Sequence, residues 1–140
     1  MREHDEQLLR RGFELWNRGE YESLTEIFHP EIEIDATNRV LNPAHYHGIE
    51  GFERLTSEIF DIWEEWWIEP TLFLWNGNRA LIETRVTARG KGSGIRLAET
   101  YYSIWTVEEG KGTAMELHVD RVAAYESAGL SAHLSAGRDT

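Results

Sequence analysis

The chain has 140 residues, the usual size of a single domain that can bury a core without disulfides or a structural metal. Its 25 acidic and 14 basic residues leave a formal charge of −11, which repels a phosphate backbone, so no nucleic-acid partner is expected. It has no cysteine, which excludes thiolate chemistry. No apolar run reaches the roughly 20 residues of a membrane helix, and no membrane partner is expected.

From Glu3 to Asn17, Leu9, Phe13 and Trp16 recur at helical spacing, and Gly19 stands where a C-terminal cap belongs. A two-turn helix follows with Tyr21, Leu24, Ile27 and Phe28 on one side, until His29-Pro30 stops it. Glu31 to Asp35 alternates strictly and predicts a short strand. Thr37 to His47 reads as a loop, and Ile49 to about Glu65 as a long third helix carrying Phe52, Leu55, Ile59, Ile62 and Trp63. Four strands are then expected over Trp66–Trp75, Arg79–Arg89, Ile95–Val107 and Thr113–Val119, separated by glycine-containing turns. Asp120 can cap a last short helix that Gly129 ends, and residues 131–140 form a small, polar, frayed tail. Helices followed by strands define an α+β domain over residues 1–130.

This order resembles the nuclear transport factor 2-like superfamily, and within it the SnoaL-like group. The residues that carry the likeness are Trp16-Asn17-Arg18-Gly19-Glu20, Ile27-Phe28-His29-Pro30-Glu31, His47-Gly48-Ile49-Glu50-Gly51-Phe52 and Ile104-Trp105-Thr106-Val107-Glu108-Glu109-Gly110-Lys111. Ser93-Gly94 and the stretch from Asp120-Arg121 to Leu130 add to it. The resemblance implies a cone: a bent, antiparallel-rich sheet packed on three N-terminal helices around a pocket, often dimerising through the outer sheet face. The superfamily includes isomerases, polyketide cyclases, dehydratases, epoxide hydrolases and binding modules, so the fold does not choose among them.

Strand parity decides which side chains enter such a pocket. Comparison with the Arg-x-Asp segment of limonene epoxide hydrolases places Leu81, Glu83, Arg85 and Thr87 inward, along with Met115, Leu117 and Val119. Amphipathicity argues for the other face of the Arg79 strand, with Ala80, Ile82, Thr84, Val86 and Ala88. On the first reading Glu83 orients Arg85, which holds an oxyanion or carboxylate; on the second the two are a solvated surface pair. Asp35 lies near where ketosteroid isomerases of this superfamily place a general base, and it is equally an Asx-turn residue before Thr37. His45-Tyr46-His47 either overhangs the mouth, with Tyr46 as a donor, or merely starts helix three.

Trp63, Trp67, Tyr101 and Trp105, with Phe13 and Met115, would furnish an apolar wall for a ring-containing ligand, Trp16 being expected in ordinary core. The histidine spacing has no metal-ligand pattern, so neither metal nor cofactor is expected. The resemblance to ketosteroid isomerase puts Gly12 and Ser103 where its oxyanion donors stand, and that to epoxide hydrolase puts Thr87 and Leu117 at its aspartates. Neither mechanism is therefore carried over. Two functions remain: a cofactor-free acid/base isomerase, cyclase or dehydratase using Asp35, Arg85 and Glu83, or a non-catalytic binding module. A homodimer through Tyr102, Ile104 and His118 and a cytoplasmic location complete the expectations.

Overall fold

The punctuation of the sequence becomes helix ends and strand turns throughout residues 2–38 and 43–134, the part of the chain that the computed structural model describes. Helix α1 (Arg2–Asn17) buries Leu9, Gly12, Leu15 and Trp16 along one stripe. It ends before Gly19, whose φ of 75° suits a residue without Cβ. Helix α2 (Tyr21–Thr25) is shorter than predicted, because strand β1 (Phe28–Asn38) starts ahead of Glu31 and takes in His29-Pro30. Strand β2 (His45–His47) forms where a loop was expected, pairing Tyr46 with Ile34 of β1.

Helix α3 (Gly48–Ile62) ends earlier than the apolar spacing predicts. Trp63 is already extended, with φ −111° and ψ 134°, and pairs with Gly90, so it opens strand β3 (Trp63–Asn76). Strands β4 (Arg79–Gly90), β5 (Arg96–Glu108) and β6 (Lys111–His118) complete a meander. Helix α4 (Arg121–Ala128) is capped as predicted: Asp120 accepts from the Ala123 N–H at 2.8 Å, and Gly129 is left-handed. Residues 131–134 of the expected tail belong to the fold: Leu134 is 9% exposed and joins the apolar cluster of Ala124, Tyr125 and Ala128. The rest of the expected tail, 135–140, and residues 39–42 of the expected loop lie outside the described residues.

The six strands form one curved sheet in the order β2-β1-β6-β5-β4-β3, antiparallel except where β1 runs parallel to β6. Register shifts interrupt the β1–β6, β3–β4 and β5–β6 pairings, and such irregularities bend and twist a sheet. Helices α1 to α3 cover the concave side, where Phe28, Ile32, Ile34, Phe52, Leu55 and Ile82 belong to the larger apolar cluster. A smaller cluster lies on the convex side under α4, joining Leu81, Tyr102 and Ile104 to Ala124, Tyr125 and Ala128. Among the described residues no helix is long and apolar enough to cross a membrane.

The convex cluster removes the basis for the expected dimer patch. Tyr102 and Ile104 are 7% and 1% exposed because the chain's own α4 covers them, and His118 is buried too, at 6%.

Candidate functional site

Between the concave face and helices α1 and α3 lies a cavity of about 460 Å³, within the range of small-molecule sites. Helix α1 contributes Leu9, Gly12, Phe13 and Trp16, and α3 contributes Phe52, Leu55, Glu58, Ile59 and Ile62. The sheet supplies Trp63, Trp66, Ile68, Thr84, Val86, Leu97, Tyr101, Ser103, Trp105, Met115 and Leu117. Trp16, expected in the core, is buried there and also forms part of this wall.

Two adjacent interactions hold α1 against the cavity's outer strand. Trp16 Nε1 donates to the Trp66 carbonyl at 2.8 Å. Asn17 then behaves like one residue of a missing strand: its Nδ2 donates to Ile68 O at 2.7 Å, and its Oδ1 accepts from Ile68 N at 2.9 Å. Strand β3 is a sheet edge, so this pairing satisfies backbone groups that would otherwise lack a neighbour.

The structure settles the parity of β4 in favour of amphipathicity. Thr84 and Val86 line the cavity, Ala80 and Ile82 are core, and Arg85 and Thr87 are exposed on the opposite face. Arg85 lies between Glu69 and Thr100 on the neighbouring strands, and Glu83, half-buried on the same outer side, accepts from Thr71 Oγ1 at 3.0 Å. Arg85 is exposed there, so its charge stays in water and meets no desolvation cost.

Asp35 does not enter the cavity either. It alternates with buried Ile34 and Ala36, and its Oδ1 accepts from both the N–H and the hydroxyl of Thr37. The Thr37 hydroxyl bond is the main cause that holds its carboxyl below the ordinary range, against the opposing effect of burial. This is the Asx-turn arrangement. Neither His45 nor His47 of β2 lines the cavity. His47 Nδ1 contacts Glu33 at 2.6 Å and Nε2 contacts Glu31 at 3.1 Å, and His45 lies 3.5 Å from Glu33. The Glu33 hydrogen bond, ahead of its charge, raises the pKa of His47. No group of three His, Asp or Glu among the described residues could hold a metal ion.

Of the expected wall residues, Trp63, Tyr101, Trp105, Met115 and Leu117 line the cavity. Trp67 does not: the register shift between Trp63 and Glu65 turns Trp66 inward and leaves Trp67 52% exposed. Trp66 stacks on Tyr101 with ring planes 6° apart and centroids 6.3 Å apart. Burial, with a lesser contribution from Glu99, raises the Tyr101 phenol pKa.

Tyr46 lies behind the wall, 1% exposed, and its hydroxyl donates to Glu58 Oε1. The Arg54 guanidinium covers the Tyr46 ring at 4.7 Å and approaches the other Glu58 oxygen at 3.9 Å. Glu58 is thus a carboxylate held in place in a mostly apolar wall, and sequence reasoning passed over it. The available signal was its position on the same α3 stripe as Leu55 and Ile62, three and four residues away. Its partner on β2 could not be read from spacing.

Among the described residues three buried side-chain polar atoms lack a hydrogen-bond partner: Ser103 Oγ, Trp105 Nε1 and His118 Nδ1. Leaving such a group unpaired costs about 1–3 kcal/mol. His118 touches one end of the cavity, but its Nε2 bonds to Glu116 at 3.0 Å in a network that Ser127 and Arg79 complete beneath α4. Ser103 and Trp105 belong to the cavity wall itself.

Among the described residues a bent sheet and the helices on its concave side thus enclose an apolar cavity with a few isolated polar groups. Residues 9–115 match the model of the SnoaL-like domain, and the chain belongs to that family. Among solved structures it is similar to TerC co-crystallised with polyporic acid, at 17% identity over 88% of this chain and 96% of that one, with a TM-score of 0.74. Bal32a from a soil-derived mobile gene cassette gives 19% identity, 90% and 96% coverage and a TM-score of 0.74. A candidate polyketide cyclase from Xanthomonas campestris pv. campestris gives 14%, 93% and 98%, and 0.73. At these identities the likeness concerns the fold. No curated protein matches the chain significantly in sequence.

Proposed function

We propose that the chain binds one small, apolar, ring-containing molecule in its cone and moves a proton on it without a cofactor, with Glu58 as the carboxylate that does so. The observation that carries this reading is the chamber itself: about 460 Å³, walled by aromatic and aliphatic side chains, with an oriented carboxylate on its surface. Asp35, Glu83 and Arg85 occupy outer positions, so the acid/base role passes to Glu58. Tyr46 and Arg54 would hold its carboxylate in one orientation towards the ligand. That TerC was crystallised with polyporic acid, and that another neighbour is a candidate polyketide cyclase, supports a small organic ligand.

The test uses ring-containing carbon acids such as 2-tetralone. Binding should shift tryptophan emission, since Trp63, Trp66 and Trp105 stand in the wall. In deuterated buffer, wild type should speed exchange of the acidic protons, and Glu58→Gln should lose most of that rate, of order 10²–10⁴-fold for a general base. The side-chain exposure of Glu58, 42%, favours a second reading. On it, the chain binds without catalysis, and Glu58→Gln would leave a slow background rate unchanged. Pairing of two copies belongs to the same proposal. The half-exposed Trp67, beside Thr87 and Ala98 on the uncovered outer face, supports it, and ultracentrifugation of Trp67→Ser would test it.

A further inference from the structure

The charge of the cavity wall is one-sided. Among the described residues Glu58 is its one carboxylate, no Lys or Arg lines it, and the histidine at its end, His118, is engaged by Glu116 through Nε2. Glu58 Oε1 accepts from the Tyr46 hydroxyl. Among the described residues Oε2 accepts no hydrogen bond, and Arg54, which does not line the cavity, stands off at 3.9 Å. The Glu58 side chain is 42% exposed, so this carboxylate is accessible.

Beside it stands a corner of aromatic faces. Trp63 follows Glu58 by little more than one turn at the end of α3, about 7 Å along the axis, and its N–H bonds to the Ile59 carbonyl. Its ring meets that of Trp66 with centroids 5.6 Å apart and planes inclined at 58°. Trp66 in turn meets Tyr101 at 6.3 Å with planes 6° apart. All three are half-buried and line the cavity. Two faces inclined like those of Trp63 and Trp66 leave a position within about 6 Å of both centroids, the reach of a cation–π contact.

These surroundings select the sign of the ligand. A carboxylate or phosphate in this wall would meet Glu58 and the negative faces of the rings with no countercharge. A positively charged nitrogen is attracted by both, and the formal charge of −11 favours the approach of cations. We infer that the cavity takes a ring-containing molecule that bears a tertiary or quaternary ammonium, with Trp63, Trp66 and Tyr101 against its N-alkyl groups and Glu58 as its counter-ion. This inference rests on the proposed pocket reading and names the polar group of the ligand; proton transfer by Glu58 is tested separately.

The test compares benzyltrimethylammonium with neopentylbenzene, its uncharged counterpart of nearly equal shape, by titration of tryptophan emission. Wild type should bind the ammonium at least as tightly as the hydrocarbon, and added salt should weaken only the ammonium. Glu58→Gln keeps an acceptor for Tyr46 and removes the charge, so it should weaken the ammonium about tenfold and leave the hydrocarbon within twofold. Trp66→Leu should weaken the ammonium about fivefold more than the hydrocarbon. A wild type that binds the hydrocarbon and not the ammonium, or variants that weaken both equally, overturns the cationic ligand class while the pocket stands. Failure of both compounds to bind wild type overturns the pocket reading and this inference with it. The wild-type comparison and its salt dependence decide the matter even should a variant unfold.

Discussion

Replacing Asn17 by alanine tests how the cone is held closed. The side-chain amide makes two half-buried hydrogen bonds to Ile68, at 2.7 and 2.9 Å, across 51 residues of sequence. Each such bond contributes about 1 kcal/mol net, so Asn17→Ala should destabilise the fold by roughly 2 kcal/mol. The loss stays below about 3 kcal/mol, because β3 is an edge strand whose freed groups can reach water in part. For a chain of this size that corresponds to a melting temperature lower by roughly 6–8 °C. Helix α1 supplies Phe13 and Trp16 to the cavity, so ligand affinity should fall as well. Asn17→Asp sharpens the test: it keeps the acceptor for Ile68 N but sets a carboxylate against Ile68 O, and at neutral pH it should be less stable than the alanine variant. Urea and thermal denaturation read both. An Asn17→Ala protein within about 0.5 kcal/mol of wild type, the range of ordinary surface changes, would refute the claim that this pairing closes the edge.

Arg85→Met should bind ligands like wild type and change stability by no more than about 1 kcal/mol, as for an exposed charge; calorimetry showing a lost ligand contact would return Arg85 to the cavity. Gly112→Ala should push its Cβ into Trp105, only 3.2–3.3 Å away, costing about 1–3 kcal/mol by overpacking and altering the near-ultraviolet circular dichroism of the indole. Burial pushes the Glu116 carboxyl up, but hydrogen bonds from Ser127 and His118 and the charge of Arg79 outweigh it and leave the pKa lowered. A carboxylate with a lowered folded pKa contributes stability that is present above its unfolded pKa, about 4.3, and is lost as pH falls through the folded value. Glu116→Gln should therefore flatten the acid limb of a stability-against-pH curve, and an unchanged limb would contradict the assigned network.

Much of this architecture was legible because its causes are local. Glycine punctuation, the Asp120 cap and the apolar spacing of α1 act within a few residues, and the order of elements carried the likeness to the family that residues 9–115 then matched. Boundaries moved where a strand partner competed with a helix: Trp63 continues the apolar spacing of α3, yet pairing with Gly90 draws it into β3, and the nearby shift in register exchanges Trp66 for Trp67. The site was least legible on β4. Its run Ala80-Leu81-Ile82 is buried on both faces, between the cone interior and α4, so alternation disappears where it was needed to set parity. The sequence alone thus determined the fold class, the family and the presence of an aromatic-rich interior. Which groups face that interior depended on contacts distant in the chain: the Tyr46–Glu58 bond, the clasp of Asn17 on Ile68 and the cover of α4. A side chain's face is set by what packs on each side of its strand, and no short window of residues contains that information.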